Sequence, residues 1–440
     1  MKNSNNRHRV TAYRASIFHV LHDPGMEKDE AATEYFEDGL LVVENGHVVK
    51  VGPAEALLTQ LPTDVNTVDH TGKLIVPGFI DVHTHYPQVD IIAAYGEQLL
   101  QWLNKYTFPT EIKFTDEEYA QDVAEFFLDE LLRNGTTTAL VMATTHQSSV
   151  DVIFNASRQR NMRIIAGKVL MDRHAPNELL DTPETGFEHS QELIEKWHKQ
   201  DRLSYAITPR FAPTSSDAQL EQVGWLAKEY PDAYVHTHVA ENKKEIEWVA
   251  ELFPWSRSYL DVYDHFGLLR ERSVFAHCIH LNDDDHARMT QSGAAVAFCP
   301  TSNTFLGSGL FNLEHARAKN IRIGLATDVG GGTSFSMLQT LSDAYKVQQL
   351  AGSRLSPYRG FYLATLGGAE ALYLEDRLGN FLPGKEADFI VLDYAATPLI
   401  QRRLQATTTI DENLFALMML GDDRVVSATY IMGECSHTRN

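Results

Sequence analysis

The chain has 440 residues, room for one large α/β barrel with additions or for about two to three average domains. With 38 basic against 59 acidic side chains its formal charge is −21, which repels phosphate backbones and anionic lipid, so neither nucleic acid nor membrane is expected as a partner. A hydrophobic content of 43% with 22% charged residues excludes a disordered chain or a coiled coil and leaves a packed globular protein.

In chain order, the N-terminal MKNSNNRHRV stretch lacks the apolar core of a signal peptide, and the longest apolar runs, such as Leu414 to Leu420, are far short of a membrane span. The cysteines Cys278, Cys299 and Cys435 form no CxxC pair, so a reducing, cytoplasmic location is expected. Residues 1–74 read as short antiparallel strands, Val10 to Tyr13, Gly39 to Val43, His47 to Val51 and Leu74 to Val76, broken by Asn, Gly and Asp. From there the rhythm changes to apolar runs alternating with amphipathic stretches, the signature of βα units. Eight strands are predicted: Phe79 to His83, Thr136 to Met142, Arg163 to Val169, Leu203 to Thr208, Ala233 to His238, Ser273 to His277, Ala294 to Cys299 and Arg322 to Thr327. Eight parallel strands close a barrel.

The clearest helix runs from Thr115 to Arg133: Thr115 and Glu118 fit a capping box, Tyr119, Val123, Phe126, Phe127 and Leu131 recur at helical spacing, and Gly135 ends it. After residue 378 strands return at Ala387 to Leu392 and Val425 to Ile431. The expected architecture is therefore a TIM-like (β/α)8 barrel over residues 75–378, with a small β-rich domain formed jointly by residues 1–74 and 379–440.

Chemistry concentrates at the predicted strand ends. The run Pro77-Gly78-Phe79-Ile80-Asp81-Val82-His83-Thr84-His85 carries an HxH pair, and period-two alternation puts both imidazoles on one face, where they can share a metal ion. The fifth predicted strand ends in a second pair, His236-Thr237-His238, with Glu241 three residues on; the sixth ends in His277 and the eighth in Asp328. The carboxyl ends of barrel strands share one mouth, so these groups are expected to converge. A carboxylate beside such a site, not itself a ligand, can move the protons of an activated water.

This order of HxH, His with Glu three residues on, His and strand-final Asp resembles the amidohydrolase superfamily over nearly the whole chain. Further segments resemble its guanine-deaminating branch: His85-Tyr86-Pro87-Gln88, Trp102 to Glu111, Pro209-Arg210-Phe211, His238-Val239-Ala240-Glu241-Asn242 and Thr327 to Gly332. The tail Leu382 to Phe389 resembles the superfamily at large. The resemblance implies one zinc ion per chain held by His83, His85, His238 and Asp328, with Glu241 as proton shuttle and His277 orienting the attacking water. It also implies that Gln88, Arg210 and Phe211 line a site for a small-molecule substrate, guanine, which is deaminated hydrolytically to xanthine. A homodimer is expected. Trp102 is equally a stacking partner or core filler, whereas Phe211, next to Arg210, favours substrate contact.

Superfamily members with two metals usually supply a modified lysine from the fourth strand, where this sequence has Pro209-Arg210-Phe211, so a mononuclear site is expected. Lys168 is the one residue that keeps a second metal open, and a solvated or ion-paired lysine is the plainer reading. His236, a layer below His238, reads as packed rather than ligating, and His8, His146, His174, His198 and His286 as surface or structural. The cytidine-deaminase type of zinc site needs a CxxC that is absent. Gly379 to Lys385 matches G-x-x-x-x-G-K, but Glu386 stands where a P-loop needs Ser or Thr. The alternatives are a deaminase or hydrolase of another heterocycle (an oxidised purine, a pterin or a triazine) and, with all ligands present, less so a non-catalytic scaffold.

Overall fold

The computed structural model describes residues 10–25, 29–62 and 65–439. The leader residues 1–9, read above as free of a signal sequence, and His8 with them, lie outside the described residues. Four strands open the described chain: β1 (Val10–Val20), β2 (Thr33–Glu44), β3 (His47–Pro53) and β4 (Asn66–Pro77). The barrel strands follow: β5 (Phe79–His85), β6 (Thr136–Met142), β7 (Arg163–Gly167) with its short continuation β8 (Val169–Leu170), β9 (Ser204–Pro209), β10 (Tyr234–Val239), β11 (Ser273–His277), β12 (Ala295–Phe298) and β13 (Arg322–Leu325). The tail adds β14 (Phe389–Asp393), β15 (Val426–Ile431) and β16 (Glu434–Thr438).

Both ends of the chain share one seven-stranded sheet, in the order β16-β15-β14-β4-β1-β2-β3. The leader is not purely antiparallel as expected, because β1 pairs in parallel with β4. A parallel neighbour needs a crossover, and the chain between β3 and β4, with the helix Ala54–Leu58, supplies it. The tail is not purely β-rich as expected: it also holds two helices, Pro398–Leu404 and Ile410–Leu420, the second of which carries the apolar run Leu414 to Leu420.

The second sheet runs β13-β12-β11-β10-β9-β7-β6-β5, with parallel pairing at each step and β8 extending beside β9. It closes where β13 meets β5, and beyond the end of β13 the Asp328 amide donates to the His83 carbonyl (3.0 Å) and the His85 amide to the Val329 carbonyl (2.9 Å). The barrel interior below the mouth is filled by Ile80, Val82, Leu140, Ile165, Ala206, Val274, Ala276, Ala295 and Ala297, all buried. It is a packed core, so only the mouth is left open for chemistry.

The best-marked helix spans Glu117–Arg133, and its N-cap is Asp116, not Thr115: the Asp116 carboxylate accepts from the amides of Glu118 and Tyr119. Its buried face comprises Val123, Ala124, Phe127, Leu128 and Leu131, whereas Phe126, expected in the stripe, is 52% exposed. Gly135, at φ 81°, ends the helix as expected. Gly78, the single residue between β4 and β5, cannot carry a side chain, because a Cβ there would sit 2.3 Å from Thr137 Oγ1. In the tail, Glu386 accepts from both Arg163 and Arg202, and Asp388 accepts from Arg202, a buried charge network tying the terminal sheet to the base of the barrel.

Candidate active site

Six side chains meet at the mouth: His83, His85, His238, Glu241, His277 and Asp328. Asp328 Oδ1 lies 3.1 Å from His83 Nε2 and 3.3 Å from His85 Nε2, and His238 Nε2 lies 3.3 Å from His85 Nε2. His277 Nε2 is 3.8 Å from Asp328 Oδ2 and 3.4 Å from Glu241 Oε2. One donor atom from each of His83, His85, His238 and Asp328 falls within a sphere of 4.8 Å mutual separation.

Strand alternation alone does not aim these groups. Ile80 and Val82 face the barrel interior, so strict alternation would turn His83 outward; the β5–β6 register shifts between Asp81 and Thr84. His83 and His85 then both face the mouth. His277 and Asp328 have left-handed backbones, φ 71° and 51°, which re-aim their side chains where β11 ends and beyond β13. Non-glycine residues in that region each cost of order 1–3 kcal/mol and persist where the surroundings over-determine them.

The surroundings here do so through hydrogen bonds. The Asp81 carboxylate accepts from the His83 amide (3.2 Å) and from the amide (3.1 Å) and hydroxyl of Thr327, locking the ends of β5 and β13 together. His238 Nδ1 donates to the Arg210 carbonyl at 2.7 Å, so its Nε2 carries the lone pair. His83 Nδ1 pairs with His236 Nε2 at 2.6 Å, and His277 Nδ1 with Asn303 Oδ1 at 2.8 Å. His236 thus stands behind His83.

This donor set fits a cation. Buried lone pairs face each other: His83 Nε2 makes no hydrogen bond, and His238 Nε2 points at His85 Nε2. Burial lowers the His85 pKa to about 4 and that of His238 well below the ordinary imidazole range, so these rings are neutral, as metal ligands must be. Burial pushes the Asp328 carboxyl up, but the neighbouring His83, His85 and His277 outweigh it and hold Asp328 well below the usual carboxylate range. Three imidazoles and one carboxylate compose a donor set of the zinc type.

Glu241 differs from Asp328. It is fully buried, and burial together with the Asp328 charge raises its pKa to about 8, against the hydrogen bond that Ser308 Oγ donates to its Oε1 at 2.8 Å. Behind it, Glu245 accepts from the Glu241 and Asn242 amides at 3.0 and 3.1 Å and from the Tyr259 hydroxyl at 2.8 Å, fixing the loop that carries Glu241.

Next to this cluster lies a cavity whose lining includes Gln88, Trp102, Arg210 and Phe211, as well as His85, His238, Glu241, His277 and Asp328. All four residues singled out for substrate contact in the sequence therefore share one cavity with the polar cluster. Leu99, Leu103 and Leu306 add an apolar wall, Thr107, Glu245 and Gly331 also line the cavity, and none of these was singled out for substrate contact. Nor was Glu111, a fully buried carboxylate that accepts from Arg210 Nη1 at 2.9 and 2.8 Å and from Gln88 Nε2 at 3.5 Å. Lys168 does not line the cavity; it is buried and ion-paired with Asp181. His174 and His286 bond the backbone carbonyls of Pro213 and Asn282, while His286 also lies with Asp283 and His315 in a second, partly exposed group.

An eight-stranded barrel with a polar His/Asp/Glu mouth defines a class of hydrolases, and the chain belongs to the amidohydrolase family, whose model matches residues 74–435. It is 53% identical to the guanine deaminase of Escherichia coli (strain K12) over 98% of this chain and 99% of that one, and the solved structure of the E. coli enzyme superposes with a TM-score of 0.96. It is 39% identical to a probable guanine deaminase of Deinococcus radiodurans, covering 96% of this chain and 97% of that one. A guanine deaminase from C. acetobutylicum, solved with guanine bound in its active site, is 28% identical with a TM-score of 0.88, covering 97% of this chain and 99% of that one. Among the described residues no helix is long and apolar enough to cross a membrane.

Proposed function

We propose that this chain hydrolytically deaminates guanine to xanthine and ammonia. His83, His85, His238 and Asp328 would hold one zinc ion, which when bound lowers the pKa of a coordinated water to about 7. His277, held by Asn303, orients the attacking water between itself and Asp328. Glu241 takes a proton from that water and delivers it to purine N3 as the oxygen bonds to C2. It then takes the remaining proton from the new C2 hydroxyl and passes it to the exocyclic amine, so that the C2–N bond breaks, C2 becomes a carbonyl and ammonia leaves. Burial and the Asp328 charge raise the affinity of Glu241 for a proton, and a bound cation would oppose them, a balance that suits a group that both takes and gives a proton.

Arg210 and Gln88 would meet the O6 edge of the base, with Phe211 and Trp102 on the apolar wall. The observation that carries this reading is the single cavity in which those four residues and the His/Asp/Glu cluster meet. The whole-length relatives that are guanine deaminases favour guanine over a pterin, a triazine or an oxidised purine. A panel of these heterocycles assayed for ammonia release tests it: guanine is expected to be turned over well ahead of the rest, and a better pterin or triazine substrate would replace the reading. The homodimer and the cytoplasmic location belong to the same proposal, and light scattering of the purified chain tests the former.

A further inference from the structure

Arg210 is enclosed on two sides before any ligand arrives. Both Glu111 oxygens accept from its Nη1, and the Phe108 ring centroid lies 5.6 Å from its guanidinium carbon. Glu111 is fully buried and Arg210 only 3% exposed, so water does little to screen the pair. Among the described residues Arg210 Nε and Nη2 make no hydrogen bond, while the residue lines the cavity. The same carboxylate receives Gln88 Nε2, so both polar residues of the base-binding wall are tied to one anion.

We propose that Glu111 is a specificity-determining residue: it cancels the charge of Arg210, so that the wall offers neutral-type donors to an uncharged lactam and does not retain an anionic heterocycle. The inference rests on the guanine reading. An unpaired buried arginine attracts anions strongly, and xanthine, the product, loses a proton more readily than guanine. Glu111 thereby favours release of product over its retention as an anion.

The test measures xanthine inhibition of guanine turnover by metal-loaded wild type and Glu111→Gln at a pH below and a pH above the ionisation of xanthine. At each pH the ratio of the two inhibition constants is taken, which cancels titrations common to both chains. The ratio is expected to move about tenfold in favour of xanthine binding by Glu111→Gln once xanthine is anionic, with metal content unchanged. An unchanged ratio across the two pH values overturns the inference while leaving the guanine reading intact, whereas a wild type that does not turn over guanine removes that reading first. Should Glu111→Gln not fold, the double variant Glu111→Gln/Arg210→Met, which removes both charges, provides the second arm. It is expected to bind both forms of xanthine more weakly but with the wild-type preference between them; a shifted preference overturns the proposal.

Discussion

Asp328 is joined to His83 twice: its amide donates to the His83 carbonyl at 3.0 Å, and its carboxylate Oδ1 lies 3.1 Å from His83 Nε2. The first contact helps close the barrel and the second belongs to the mouth cluster, so one residue pair serves both. Asp81 supports both residues from below through the His83 amide and Thr327. Asp81→Asn puts an amide donor against the Thr327 hydroxyl or loses one of these acceptors. Zinc affinity is expected to fall by about 10- to 100-fold, the usual effect of losing an outer partner of a metal site, with the far-UV spectrum unchanged. Unaltered affinity in a competition titration would show that Asp81 serves the fold alone.

Metal content follows from the donor set. Dialysed protein is expected to retain about one tightly held ion per chain, because four ligands and a water complete a mononuclear zinc site. His83→Ala should lose that ion, whereas His286→Ala, in the partly exposed group with Asp283 and His315, should keep it. Two tightly held ions, both needed for turnover, would contradict the mononuclear reading.

Glu241 links metal binding to pH. Its carboxyl titrates at about 8 in the metal-free chain, so at neutral pH it is mostly protonated, while His85, near 4, is already neutral and has no proton to lose. An arriving cation stabilises the carboxylate and pulls that pKa down, so binding releases a proton and affinity rises with pH up to about 8. Calorimetry in buffers of different ionisation enthalpy should find about one proton fewer released by Glu241→Gln. The same variant should keep its metal and lose turnover by roughly 10²- to 10⁴-fold. Near-normal turnover would move the proton shuttle to another group.

Specificity at the O6 edge should fail asymmetrically. Wild type is expected to prefer guanine strongly to 2-aminopurine, which lacks the oxygen, because unpaired buried donors cost about 1–3 kcal/mol each. Arg210→Met should impair guanine turnover far more than 2-aminopurine turnover, with zinc content unchanged. An equal decline on both substrates would mean that Arg210 supports the site's structure and does not read the base.

What could be read in the sequence was whatever is periodic or local. The strands from Thr136 to Met142 and from Ser273 to His277 fall where the hydrophobic runs put them, and the sites' strand-end positions follow from barrel topology. Contacts made only by folding were not legible. Glu111 meets Arg210 across 99 residues, Ser308 meets Glu241 across 67, and Asp81 meets Thr327 across 246, with no local pattern to announce any of them. The left-handed backbones of His277 and Asp328 likewise depend on neighbours and not on residue type. One local reading went to the wrong residue: two adjacent residues, Thr115 and Asp116, are both good caps, and the turn geometry selected Asp116. Asp116→Ala should therefore cost about 1 kcal/mol of stability in denaturant titration and Thr115→Ala far less.

The most direct test is to incubate the purified, zinc-loaded chain with guanine in water enriched in heavy oxygen, and to follow xanthine and ammonia together by mass spectrometry. Xanthine carrying the heavy label at C2 with equimolar ammonia, lost on Glu241→Gln, is the predicted result. Guanine recovered unchanged while another heterocycle is hydrolysed would contradict it.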